Sequence, residues 1–273
     1  MWDELNQKPK TKDQSPPNID LLTDFGTKDY FVGAMKGAIL AVDPKAKIVD
    51  ITHEIEPQNI RSASFTLRAC YKNFPGKTIF VAVVDPGVGS ERRAILVETG
   101  DYYFAAPDNG LLSFIFSEAE EFRVFELTNK KFFAANVSTT FHGRDIFAPV
   151  AAHLSKNIQP TEFGREISDF VCWEENKPRQ MSKNRIEAEI IGIDRFGNLI
   201  TNLKKEDLPA GFVLEISGKR IEKLQNHYAE SQPGKVFMIF GSAEILEIAV
   251  FQDSAKGILK AEIGQKNAVD ILS

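Results

Sequence analysis

The seven residues TIFVAVV (78–84) carry no charge, and they limit what this 273-residue chain can fold into more than any other stretch. A half-exposed strand alternates apolar and polar side chains, whereas a short apolar run closed by turns is a strand covered on both faces. The run ends on Asp85 and a Pro-Gly-Val-Gly turn, and AILVET (94–99) resumes behind Arg92 and Arg93. A buried strand with an acid at its mouth is the motif around which the rest of the chain has to be arranged.

Upstream, IDLLTDFG reads as a strand stopping at a turn, YFVGAMKGAILAV as a helix ended by Asp43-Pro44, and KIVDIT as a second strand. NIRSASFTLRACYKNF is amphipathic enough for a helix. Downstream, YYFAAP is a strand, and GLLSFIFSEA and DIFAPVAAHLSK are helices. Strands alternating with helices predict an α/β domain on a largely parallel sheet. Composition turns polar around EENKPRQMSKNR (174–185). Behind it RIEAEIIGID, NLITNL, KVFMIFG, ILEIAV and GILKAEIG are short and β-rich, and FVLEISGKRIEKL reads as a hairpin turning at Ser217-Gly218. The expectation is a polar tail over residues 1–18, an α/β domain over 19–180, and a smaller all-β, barrel-like domain over 181–273.

A net charge of −5 offers no general attraction to nucleic acid or acidic membranes, and no apolar run approaches the roughly 18 residues needed to span a bilayer. The first residues lack the apolar core of a signal peptide. Cys70 and Cys172 sit in apolar or aromatic settings and read as buried thiols, so a cytoplasmic protein without disulfides is expected. Four scattered histidines with no ligand spacing argue against zinc. GVGSERR lacks the Gly-Lys-Ser/Thr ending of a P-loop and leads into a strand, and no Gly-x-Gly-x-x-Gly follows the first strand.

Ligands in open α/β sheets bind beyond the carboxyl ends of the strands. Asp24 and Asp85 each follow a strand, and His142 opens the loop before a helix, so a shared edge would gather them in one crevice. Each has a plainer reading: Asp24 and Asp85 as turn formers or caps, and His142, His53 and His153 as structural histidines. Arg92 and Arg93 lead a strand and should point to opposite faces, leaving one of them to solvent. Residue chemistry alone reaches a ligand-binding α/β protein with an acidic crevice.

Five segments in order carry further: LLTDFGTKDYFVGAMKGAI, VVDPGVGSERRAILVE, FAAPDNGLLS, FHGRDIFAPVAAHL and DRFGNLITN. Together they resemble the S-adenosylmethionine hydrolase (SAM hydroxide adenosyltransferase) family, relatives of the SAM-dependent fluorinase and chlorinase, over nearly the whole chain from Ile19. The resemblance implies an N-terminal α/β domain and a C-terminal β-barrel. It implies hydrolysis of S-adenosyl-L-methionine to adenosine and methionine without metal or cofactor, and homotrimers with each site between subunits. The family's water-activating trio falls on Asp85, Arg92 and His142, which makes Arg93 the solvent- or structure-facing neighbour. Its substrate contacts fall on Asp24 for the ribose hydroxyls, Asp29 near the methionine end, Asn109 in the PDNG segment, and Phe196 and Asn198 on the adenine side. Ser242 and Glu247 match a segment that reads GSAEILEIAV here, with Glu244 where the family has glycine. The halogenase branch carries tyrosines in place of Asp85 and His142 and a serine in place of Gly143, so water rather than halide is the expected nucleophile.

The implied chemistry suits these residues. A sulfonium makes methionine a neutral leaving group, so the task is to hold water in line with C5′ and sulfur, and such positioning is worth roughly 7–11 kcal/mol. An arginine beside an aspartate keeps the carboxylate ionised and a weak base. Asp85 and His142 are then expected to orient and polarise water, taking its proton as the C–O bond forms. A SAM- or adenosine-binding sensor with negligible turnover and a SAM-dependent halogenase are the competing readings.

Overall fold

The structure, a computed structural model, describes residues 17–174, 176–209 and 211–272. The tail expected over 1–18 lies outside the described residues up to residue 16. The chain separates into two compact units between Trp173 and Glu174.

The first unit contains β1 (Asn18–Thr23), α1 (Phe31–Val42), β2 (Lys47–Thr52), α2 (Ile60–Cys70), β3 (Ile79–Val83), β4 (Ala94–Thr99), β5 (Tyr103–Pro107), α3 (Ser113–Glu118), β6 (Phe122–Glu126), α4 (Ala148–Ser155) and β7 (Glu166–Ile167). Its sheet has the order β2-β1-β3-β5-β4-β6-β7. The first three pairings are parallel, while β4 runs against both β5 and β6, and β7 runs against β6. The sheet is therefore largely parallel, with its antiparallel pairings confined to one side. The uncharged run explains itself: Val81 and Val83 enter a core with Met35, Ile39, Phe147 and Val150, while Phe80 and Ala82 enter another with Leu67 and Phe104. Because successive side chains of a strand point to opposite faces, β3 has helices over both and no place for a charge.

The second unit contains β8 (Arg179–Ser182), β9 (Arg185–Ile193), β10 (Leu199–Lys204), β11 (Phe212–Ile216), β12 (Lys219–Ile221), β13 (Leu224–Gln225), β14 (Val236–Phe240), β15 (Ile245–Val250), α5 (Ala255–Leu259) and β16 (Lys266–Ile271). They form one curled sheet, β12-β11-β16-β9-β10-β15-β14-β13, with β8 beside β9, and the curl brings β12 against β14. Strand β9 alternates buried and half-buried positions, and Ile186, Ala188 and Ile190 face a single core with Leu214, Met238, Ile248 and Val269. Ser217 and Gly218 both take positive φ, 50° and 71°, as a two-residue hairpin loop with the right twist requires.

Some expectations are corrected. GILKAEIG is not a strand: the Ser254 hydroxyl accepts the Gly257 N–H and starts α5, and the final strand lies further on at Lys266–Ile271. FRVFE (122–126), masked by its flanking charges, is strand β6. Cys172 is exposed and Cys70 half-buried, so neither is the buried thiol expected. Among the described residues no helix is long and apolar enough to cross a membrane.

Glu244 stands in the left-handed region with φ 59°, which explains why glycine suits this position. Exchanging Glu244 for glycine is expected to stabilise the second unit by roughly 0.5–1 kcal/mol, the left-handed penalty offset in part by glycine's chain entropy. The urea midpoint measures this, and an unchanged or lower midpoint refutes it.

Candidate active site

Strands β1, β3 and β5 are neighbours and run parallel, so Asp24, Asp85 and Asn109 leave one edge of the sheet side by side. Asn109 ties two of these ends together: its amide donates to the Val84 carbonyl at 2.9 Å, next to Asp85, and its oxygen accepts the Leu111 N–H. The Asp24 carboxylate accepts the Gln58 N–H at 2.8 Å. Asp29 is exposed ahead of α1.

Asp85 is gripped by both ends of one guanidinium. Arg92 Nε donates to Oδ1 at 2.8 Å and Nη2 donates to Oδ2. The two side chains are 5% and 10% exposed, and the planar fork leaves the carboxylate little rotational freedom. Arg92 Nη2 also reaches His142 Nδ1 at 2.8 Å. A guanidinium only donates, so Nδ1 accepts and the neutral ring carries its proton on Nε2. Burial and the Arg92 charge push the His142 imidazole below its ordinary value, against the opposing carboxylates of Asp85 and Asp145, so the neutral form holds at pH 7.

The loop carrying His142 is built to meet this pair. Asp145, buried in the π-helical turn Gly143–Phe147, accepts the Ser138 N–H at 2.8 Å and binds Arg144 through Nε at 2.6 Å. The Ser138 hydroxyl then accepts the Phe141 N–H. Gly89, at φ 80°, lies where any side chain would overlap the Thr139 carbonyl, so the Asp85–Arg92 turn presses directly on the His142 loop. Phe141 packs against Phe25 and Phe31 with ring centres 5.8 and 5.2 Å away, joining that loop to the turn that bears Asp24. A Cβ on Gly143 would come within 3.2 Å of Met35 Sδ, so the serine expected of a halogenase would need that side chain to give way by a few tenths of an ångström.

Arg92 and Arg93 do diverge, but Arg93 is not left to solvent. Its Nε donates to the buried Asp108 at 3.0 Å and its Nη1 to Asp169 at 2.8 Å, while Asp108 also accepts the Val171 N–H. These partners strap the 169–173 segment to the sheet and were not legible as a pair, because 76 residues separate Arg93 from Asp169.

In the second unit Phe196, Asn198, Ser242 and Glu247 line one hollow of about 780 Å³, with Asp194 and Tyr228. Asp194 shapes it: one oxygen accepts the N–H groups of Phe196 and Asn198, and the other accepts the Asn198 amide at 2.8 Å. That turn leaves Phe196 77% exposed. Burial and the neighbouring Asp194 push the Glu247 carboxyl upward against a hydrogen bond from Tyr228. Burial beside Glu247 pushes the Tyr228 phenol up to about 12. Asp194 lay within a recognised motif, whereas Tyr228 carried no signal in its polar surroundings. Among the described residues no cluster of three or more His, Cys, Asp or Glu is placed to hold a metal ion.

Two family models match, the SAM hydroxide adenosyltransferase N-terminal domain over residues 19–164 and the C-terminal domain over 188–267. The chain is 37% identical to the (R)-S-adenosyl-L-methionine hydrolase of Methanocaldococcus jannaschii, over 89% of this chain and 92% of that protein. It is 29% identical to a fluorinase of an Actinoplanes species, over 70% of this chain and 73% of that protein. A conserved protein of Thermotoga maritima, known from its crystal structure, superposes with a TM-score of 0.85 at 35% identity, over 92% of this chain and 99% of that one.

Proposed function

Because this chain belongs to the SAM hydroxide adenosyltransferase family, we propose that it hydrolyses S-adenosyl-L-methionine to adenosine and L-methionine. The observation that carries this reading is the Asp85–Arg92–His142 contact at the carboxyl edge of the sheet. The reaction is a nucleophilic substitution at ribose C5′. A water oxygen forms the new bond to C5′ as the C5′–S bond breaks and its electron pair returns to sulfur. Methionine departs as a neutral thioether, and the proton released by water passes to Asp85 and on to solvent.

Arg92 locks the carboxylate rotamer while leaving Asp85 a lone pair for water. With Nδ1 already accepting from Arg92, His142 serves through its Nε2–H as a donor that orients the nucleophile, and Asp85 is the proton acceptor. Negative charge at this edge also attracts the cationic substrate. No metal or redox group is required, since the sulfonium itself supplies the leaving group.

Asp24 binds the ribose hydroxyls, with Asp29 and Asn109 as further substrate contacts on the same unit. Phe196, Asn198, Ser242 and Glu247 receive the adenine and its surroundings in the hollow of the second unit. The proposed assembly is a homotrimer in which the C-terminal unit of one subunit faces the N-terminal unit of the next, an arrangement that would cover the exposed Phe196. The free thiols of Cys70 and Cys172 suit a cytoplasmic enzyme.

Incubation with S-adenosyl-L-methionine in ¹⁸O-labelled water, with chloride varied, tests the reading. The expected product is adenosine carrying one label at O5′ together with methionine. Intact substrate would move the protein to the binding class, and a halogenated nucleoside rising with chloride would make it a halogenase.

A further inference from the structure

His53 has no role in the reaction described above, yet it holds the turn that carries Asp24 at two points. Its backbone carbonyl accepts the Gly26 N–H at 2.7 Å, and its Nδ1 meets the Thr23 hydroxyl at 2.9 Å. The same hydroxyl oxygen accepts the Phe25 N–H at 3.2 Å. Asp24 thus sits between two anchors that both lead to one histidine at the end of the neighbouring strand. Thr23 is fully buried and His53 is 3% exposed, so their polar atoms have no solvent to fall back on.

The direction of the hydrogen bonds is set from the surface inward. Asp50 Oδ1 lies 3.1 Å from His53 Nε2, and Asp50 Oδ2 accepts from Lys36 Nζ at 2.6 Å. Burial raises the Asp50 carboxyl, but the bonds from Lys36 and His53 outweigh it and leave the group below its ordinary value, hence ionised. The negative charge 3.1 Å from Nε2, close enough to attract a ring proton although it makes no aligned hydrogen bond there, favours the proton on Nε2 and leaves Nδ1 to accept the Thr23 O–H. The Thr23 oxygen is then free to accept the Phe25 N–H, which fixes the backbone on the far side of Asp24.

We infer that Thr23 and His53 are positioning residues for substrate binding, which aim the Asp24 carboxylate at the ribose through this hydrogen-bonded chain. The inference rests on the reading that Asp24 binds the ribose hydroxyls. An apolar residue at position 23 would fill the same space without holding the turn, so the loss should appear in binding rather than in chemistry.

The test measures KM and kcat for S-adenosyl-L-methionine, and calorimetric affinity for adenosine, in Thr23→Val, Thr23→Ser, Asp24→Asn and the Thr23→Val/Asp24→Asn pair. Thr23→Val is expected to raise KM and weaken adenosine binding roughly tenfold with kcat held within about twofold, the pattern of lost uniform binding. Thr23→Ser should restore both, and Thr23→Val should add nothing once Asp24 is changed. Should Thr23→Val not accumulate as folded protein, His53→Phe keeps the carbonyl bond to Gly26, removes the ring nitrogens, and gives the same readout. Equal losses in kcat and kcat/KM, no rescue by serine, or full additivity with Asp24→Asn would each overturn the inference. If Asp24→Asn binds adenosine like the parent, the ribose reading itself falls; if only that variant weakens binding, the inference falls alone.

Discussion

Replacing Asp85 by asparagine is expected to lower kcat by about 10²–10⁴-fold, the range typical of a lost general base, while adenosine affinity stays within a few-fold. The substitution keeps the shape of the side chain but puts an NH₂ where the Arg92 fork requires an acceptor. It therefore removes both the proton acceptor and the group that orients Arg92, and through Arg92 Nη2 it disturbs His142 Nδ1. Single-turnover kinetics alongside adenosine calorimetry check the split. Retained kcat would make the Asp85–Arg92 pair a structural ion pair, and lost affinity would make Asp85 a binding residue. Arg93 lies next in sequence but is tied to Asp108 and Asp169, so its loss should appear in stability first.

The second large effect concerns a residue away from the site. Asp20, in the middle of β1 between Val49 and Phe80, is fully buried, and neither carboxylate oxygen has a hydrogen-bond partner among the described residues. Burial, opposed by the charge of Lys47, raises its carboxyl from 3.8 to about 7. Burial and the Asp20 charge push the nearby Cys70 thiol up to about 11. The folded chain therefore holds a proton that the unfolded chain releases between these two values. The stability that proton confers is complete below pH 3.8 and is lost as pH rises through about 7. At ~1.4 kcal/mol per unit the loss amounts to roughly 4 kcal/mol. Urea unfolding of the parent and of Asp20→Asn across this range should show the parent losing stability relative to the variant as pH rises, with the difference levelling off near pH 8. A difference independent of pH would mean that Asp20 does not change its proton affinity on folding.

Much of the architecture was legible because its signals are local. TIFVAVV declares a doubly covered strand by its lack of charge, and Ser217-Gly218 declares a hairpin because few residues tolerate positive φ. GILKAEIG misled because a strand and a short helix are equally apolar over such a length, and the deciding feature was the Ser254 cap just before it. The site was legible in part. Acids after strands marked the carboxyl edge, and the ordered motifs singled out Asp85, Arg92 and His142, which the fold brings into contact.

By itself the sequence determined most of the strands and helices, that β3 is covered on both faces, and which strand ends carry acids. These follow from hydrophobic period and turn chemistry, which act over a few residues. Only the tertiary structure decided that Arg92 faces Asp85 while Arg93 faces Asp108 and Asp169. It alone decided that His142 accepts at Nδ1, that His53 braces the Asp24 turn, and that the Asp20 carboxylate meets no hydrogen-bond partner among the described residues. Each of these depends on strand order and on side chains far apart in the chain, where burial and geometry rather than local pattern choose the partner.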